Sequence, residues 1–149
     1  MVSLMTVTNN LVQSSTKLDT YRRFKQNFEL EKYILFAPLG ERCKFTKFRI
    51  SDHHLEIERG RHKRPPIQRF ERICKGCDMN RVEDEEHVLM ECTKFSTLRG
   101  ELFEKLENST SYPFLRTNFD KFNYIMSMAG SDLDLFKFVV PTLMSIMST

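Results

Sequence analysis

Cys74-Lys75-Gly76-Cys77, then His87, then Cys92: three cysteines and one histidine fall within nineteen residues, spaced C-x2-C-x9-H-x4-C. Four ligands of this kind suit a closed, tetrahedral structural zinc site, in which sulfur and nitrogen donors take every corner. Such a site leaves no coordination position for water or substrate, so the constellation points away from catalysis. Two cysteines three positions apart can both point inward from one tight turn, and Gly76 is expected to supply backbone freedom there. The spacer ends in Glu83-Asp84-Glu85-Glu86, acids that suit the positive end of a helix dipole, so His87 is expected in the first turn of a helix. Cys92 lies five positions further on, off the face of His87. The helix is therefore expected to end or bend near Glu91, with a new one starting around Thr93. The competing assignments are a chance cluster of buried thiols, disulfides in a secreted chain, or an iron–sulfur site, which is usually all-cysteine. The short paired spacing favours the metal.

Working outward, the expected fold is mainly α: a small helical domain with a zinc-pinned short hairpin or turn. Residues 1–16, rich in Ser, Thr and Asn, read as a loose arm, and 17–149 as one helical domain with its zinc module at about 69–99. Lys17 to Phe36 keeps a helical period through Leu18, Tyr21, Phe24, Phe28 and Leu35, with Pro38-Leu39-Gly40 as its stop. Phe45 to Arg59 is a second helix candidate, with Phe48, Ile50, Leu55 and Ile57 inward. Pro65-Pro66 marks a loop. Arg69 to Arg81 carries the cysteine turn as a short hairpin. Thr93 to Glu107 places Phe95, Leu98, Leu102 and Leu106 on one face, and Tyr112-Pro113 breaks it. Asn118 to Met128 and Asp132 to Met147 follow, separated at Gly130, and Phe138 to Met147 reads as a buried helix.

The chain has 149 residues, 40% of them hydrophobic and 13 of them Phe, enough for a real core. The formal charge of +3 is only mildly basic, and a zinc ion with three thiolates would lower it by one. No apolar run reaches the roughly 18 residues a spanning helix needs. The start, Met1-Val2-Ser3-Leu4-Met5, lacks the basic flank of a signal peptide. An intracellular chain, nuclear or cytoplasmic and not secreted, is the expectation.

A basic stretch precedes and enters the cysteine turn: Arg59, Arg61, Lys63, Arg64, Arg69, Arg72 and Lys75. Such clustering can neutralise nucleic-acid phosphates, and Phe70 could stack on a base. The alternative is a solvated loop whose arginines pair with acids elsewhere, notably those at 83–86. His62, in the same stretch, reads as solvated, and Cys43 as an ordinary thiol.

The run from Phe45 to Arg99 resembles the C-terminal region of reverse-transcriptase polyproteins from non-long-terminal-repeat retrotransposons. Arg49-Ile50-Ser51-Asp52-His53-His54-Leu55-Glu56-Ile57-Glu58-Arg59-Gly60-Arg61 is similar to that region's R-x-S-x-H-x-L-x-I-E-x-G-R signature. Arg72-Ile73-Cys74-Lys75-Gly76-Cys77 is similar to its R-x-C-x-x-C. Val82 to Cys92 is similar to its V-E-D-E-x-H-x-L-x-x-C, and Lys94 to Arg99 to its aromatic-to-arginine tail. The resemblance implies a zinc-binding module with Cys74, Cys77, His87 and Cys92 as ligands, engaging RNA or DNA. The chain departs from the full polyprotein in having no adjacent pair of Asp residues for a polymerase palm, and no endonuclease domain. His53 matches the histidine of the signature. It reads either as a packing and hydrogen-bonding residue on the second helix, or as a nucleic-acid contact or fifth ligand candidate.

The expected function is therefore a non-catalytic, zinc-holding, nucleic-acid-binding module. The alternatives are an inactive transposon-derived fragment or a zinc-scaffolded module with a protein partner. That last reading expects an exposed apolar patch from Phe119, Phe122, Met126, Phe136 and Val140. No Ser–His–Asp or paired-carboxylate arrangement stands out, so an enzyme is not expected.

Overall fold

The computed structural model describes residues 14–27, 29–108 and 115–149. The expected arm (most of 1–16), Phe28 and the break at Tyr112-Pro113 lie outside those residues. What is described is mainly helical, as the sequence implies.

A 3-10 turn, Thr16–Leu18, leads into α1, Asp19–Phe24; α2 is Lys32–Phe36 and α3 is Leu39–Arg49. Helix α4, Glu56–Arg59, runs on into a 3-10 turn, Gly60–His62. After the cysteine hairpin come α5, Glu85–Met90, a 3-10 turn at Thr93–Phe95, and α6, Ser96–Glu107. The terminal pair is α7, Asn118–Ser131, and α8, Leu133–Met147.

The terminal pair is the framework. Helix α8 packs on α7, α6, α3 and α2, while α7 packs on α1, α2 and α5. Polar caps define the ends. The Thr117 hydroxyl accepts from the Asp120 amide, and the Asp132 carboxylate accepts from the amides of Asp134 and Leu135. The two helices thus meet at Asp132, whereas Gly130 is a buried residue inside α7. Helix α8 continues through Pro141 and buries one face, Phe136, Val139, Val140, Leu143 and Ile146. It is not buried all round, since Phe138, Pro141 and Ser145 are exposed.

Two expected helices are divided. Lys17 to Phe36 is interrupted after Phe24, and residues 25–27 and 29–31 are non-helical. The interruption places Glu31, in extended backbone before α2, against Arg49 of α3. It also turns Leu35 outward. The stop at Pro38 is met, since α2 ends at Phe36 with Ala37 extended before the proline, but Leu39 and Gly40 already belong to α3, whose first turn Pro38 precedes. Phe45 to Arg59 is divided at Ser51, whose φ of 58° is left-handed. There the Asp52 amide donates to the Lys47 carbonyl at 2.8 Å, and the Ser51 amide to the Phe48 carbonyl at 3.3 Å, so the chain closes α3 with a Schellman-like cap.

The side chain of Arg49 sits at the centre of this end of the molecule, 1% exposed. It makes a two-pronged bond to the Glu31 carboxylate, at 2.7 and 2.9 Å. The guanidinium carbon lies 4.9–5.6 Å from the ring centroids of Tyr21, Phe24, Tyr33 and Phe45. Buried charge is costly unless paired, and the carboxylate and the four ring quadrupoles supply the pairing. Tyr33 and Phe45 also pack against Phe136, tying α2 and α3 to α8.

Candidate metal centre

The hairpin that carries the first two cysteines is short. Ile73 and Val82 form an antiparallel bridge. It is flanked by bonds from the Cys74 amide to the Arg81 carbonyl (2.8 Å) and from the Glu83 amide to the Arg72 carbonyl (2.9 Å). The left-handed residue of this turn is Asn80, φ 52°, a residue type that tolerates the region. Gly76 does not have a positive φ, contrary to the expectation from sequence. What the glycine provides is room: a Cβ there would stand 2.9 Å from Cδ of Lys94, which crosses over the turn.

The other two donors come from α5 and from the turn that closes it. Its N-cap is Asp84, whose carboxylate accepts from the His87 amide at 2.9 Å, with Glu85 and Glu86 in the first turn as the charge pattern implied. The helix ends at Met90, and the amides of Glu91 and Cys92 both turn back to the His87 carbonyl, at 2.9 and 2.8 Å. That closing turn returns Cys92 to the side of His87. Arg99 then donates to the carbonyls of Cys92 and Glu91 at 3.0 and 3.3 Å, just past the helix end.

The result is one cluster: a donor atom from each of Cys74, Cys77, His87 and Cys92, all within 4.8 Å of one another. Sulfurs about 2.3 Å and a nitrogen about 2.0 Å from a tetrahedral ion stand about 3.8 Å apart (S to S) and about 3.5 Å apart (S to N). The Sγ atoms of Cys74 and Cys92 are 3.8 Å apart, and Cys77 Sγ is 3.3 Å from His87 Nε2. Cys74, His87 and Cys92 are buried and Cys77 is half-buried, and no disulfide joins them. The set fits a four-coordinate ion with thiolate and imidazole donors, and His53 is not part of it.

Burial pushes the Cys74 thiol well above its ordinary range, and its hydrogen bond to the Glu83 carboxylate (3.4 Å) adds to this against the opposing amide of Gly76. Cys92 is also raised by burial. At Cys77 burial is outweighed by hydrogen bonds from the Met79 amide and from the neighbouring thiols, and the net shift is downward. Two thiols that hold their protons and one that releases its proton easily make metal uptake a proton-releasing event.

His53 lies in the loop after α3 rather than on a helix. Its Nε2 is 2.8 Å from Glu85 Oε1, and both side chains are fully buried. The Ser51 hydroxyl donates to the same oxygen, and Thr20 Oγ1 donates to Glu85 Oε2 at 3.0 Å. Burial raises Glu85, but the His53 bond and charge outweigh it and hold the carboxyl below its ordinary range. The hydrogen-bonding reading of His53 is therefore the one the geometry bears out.

Compared with known family models, curated proteins and solved structures, the chain matches none.

The basic residues divide by what holds them. Arg72 is half-buried: its guanidinium donates to the carbonyls of Ile57 (2.7 Å) and Ile67 (2.8 and 3.0 Å), and its stem lies on Gly60. Arg61 faces Glu58 at 3.4 Å, as do His62 at 2.9 Å and Lys17 at 3.5 Å. Arg59 and Lys75 share Glu56 Oε1 at 3.4 and 3.2 Å while staying largely open to solvent, and Arg69 stands 3.9 Å from Asp84. Lys63 and Arg64 are exposed beside a cis Arg64–Pro65 bond. Phe70 is 71% exposed. Cys43 is exposed and apart from the cluster.

Sequence reading did not single out Arg49, Glu85 or Glu91. Arg49 and Glu85 lie within the quoted runs without a role assigned to them, and the signal for Glu91 is its i,i+4 spacing from His87.

Proposed function

We propose that the chain is a structural zinc module whose metal-pinned hairpin presents a basic, aromatic-tipped surface to RNA or DNA. The observation that carries the metal half is the Cys3His cluster, all four donors within 4.8 Å and two of the separations, 3.8 and 3.3 Å, near those of a tetrahedral site. Thiolates with one imidazole in a closed tetrahedral set favour zinc over the harder cations, and four protein ligands exclude a catalytic water position. The nucleic-acid half rests on Phe70, an aromatic ring left in solvent, with Arg69 beside it and Lys63, Arg64, Arg59 and Lys75 on the same stretch of chain. Exposed cations neutralise phosphates, and an exposed ring accepts a stacked base of any identity. Arg72 is a structural member of this surface, holding the α4 segment to the hairpin, and the phosphate contacts belong to its exposed neighbours. The similarity of the Phe45–Arg99 runs to the non-long-terminal-repeat retrotransposon region agrees with this reading.

The test is binding of zinc-loaded protein to a labelled single-stranded RNA or DNA across a salt series. Affinity should fall steeply as salt rises, because each neutralised phosphate releases counterion. A flat salt response, or no binding at low salt, would overturn the nucleic-acid half.

A second reading, a protein-interaction module, is favoured by one observation. Leu30, Leu35, Phe36 and Leu39 are each more than half exposed along α2 and the start of α3. The patch expected on the terminal helices is not there. Phe122, Met126, Phe136 and Val140 are core, and only Phe119 is exposed, with the Arg23 guanidinium 5.2 Å over its ring.

A further inference from the structure

We infer that Glu91 is the positioning carboxylate of the metal centre, the group that fixes which nitrogen of His87 faces the ion. The inference rests on the metal reading of the cluster and deepens it.

The imidazole of His87 presents Nε2 to the cluster, 3.3 Å from Cys77 Sγ. A neutral imidazole that ligates through Nε2 carries its proton on Nδ1 and needs an acceptor there. His87 Nδ1 is buried and has no hydrogen-bond partner, and the same is true of Glu91 Oε2. These two atoms are 3.5 Å apart, one helical turn from each other in sequence. A donor lacking an acceptor thus faces an acceptor lacking a donor, and a small tilt of the ring toward the ion's preferred geometry brings them into bonding distance. Histidines that bind metals commonly donate their second nitrogen to a carboxylate in this way, which fixes the tautomer and strengthens the ligand.

Glu91 is itself held. Its Oε1 accepts from Asn118 Nδ2, at the first residue of α7, at 3.3 Å. Its Oε2 lies 3.4 Å from the Arg81 guanidinium, on the return arm of the hairpin. The carboxylate therefore joins three parts that the four ligands alone do not: the end of α5, the hairpin arm and the framework helix.

The test uses the full chain, zinc alone as the probe, and a competing chelator as the affinity readout. Glu91→Ala should weaken zinc binding about 10–100-fold, while the cobalt-substituted protein keeps the visible spectrum of a four-coordinate Cys3His site. Glu91→Gln, which keeps a carbonyl oxygen in place, should recover most of the loss. Affinity of Glu91→Ala within twofold of the parent, or no recovery in Glu91→Gln, overturns the inference. If Glu91→Ala does not fold, nitrogen-15 NMR of the zinc-loaded parent decides it. The proton of His87 is expected on Nδ1, and a proton on Nε2 overturns the inference. A parent chain that takes up no zinc overturns the metal reading itself, an outcome distinct from any of these.

Discussion

Two ends of the molecule bury polar groups by different means. At one end, Arg49 sits among four aromatic rings with Glu31 as its partner, and no ion is needed. At the other, a hairpin with one bridge and a six-residue helix with its closing turn bring three thiols and an imidazole together. The first end is assembled by packing of α2, α3 and α8. The second has the donor set and spacing of a segment whose stability comes from metal ligation. A buried guanidinium brings its own charge to the core, whereas a thiol cluster gains charge only when a metal displaces its protons.

The largest effect that would break the comparison is at the metal end. Removing zinc with a chelator, or substituting Cys74→Ser, should remove a contribution on the order of 10 kcal/mol to the fold of the 72–95 region. Hydrogen exchange should then show loss of protection there while the amides of α7 and α8 stay protected. Global unfolding on chelation would mean that the two ends are not separable.

Next in size is Arg49→Ala, which leaves the buried Glu31 carboxylate with only Lys25 Nζ, 3.5 Å away, as a charged partner, at a cost of about 3–5 kcal/mol by denaturant melts. The double variant Arg49→Met with Glu31→Leu should recover most of that loss, because an apolar pair of similar size needs no partner. The loss should be the same with and without zinc if the two ends act independently.

Gly130→Ala sharpens the packing account. A Cβ there would stand 2.3 Å from Glu31 Oε1, whose position the Arg49 bonds fix. A loss of about 1–3 kcal/mol in thermal or denaturant melts is expected.

The pH dependence differs in sign between the metal-loaded and metal-free chains. The raised Cys74 and Cys92 thiols bind protons more tightly in the folded, metal-free state than unfolded. Their contribution to metal-free stability is therefore present below the ordinary thiol range of about 8.5 and lost as pH rises above it. Zinc must displace those same protons, so its affinity rises with pH across the neutral range. Calorimetry in buffers of different ionisation heat should show proton release on zinc binding. The smallest stability effect is expected for Phe70→Ala, within about 0.5 kcal/mol of the parent, because the ring touches solvent. Its nucleic-acid affinity should fall by about 1–3 kcal/mol if the ring stacks on a base.

The four ligands were legible because the chemistry requires those residue types at close spacing, and the start of α5 because acids precede His87. The divisions after Phe24 and at Ser51 were not. In both places a long-range polar pair, Arg49 with Glu31 and Ser51 with Glu85, outweighs local helical period. The signature residues show why short motifs mislead about role. Arg49, Ser51 and His53 of one run are bonded within the fold, the last two to Glu85 of another. Arg72 and Arg99 bind backbone carbonyls. Much of what looks like a surface code in the sequence is the internal wiring of the hairpin, and the nucleic-acid proposal is left to the exposed residues around Phe70.

The account stands most directly on one number, the zinc content of the purified, reduced protein by elemental analysis, measured beside Cys92→Ser. One zinc per chain, lost or strongly weakened in the variant, is the predicted result. A folded, reduced protein with no zinc would contradict it.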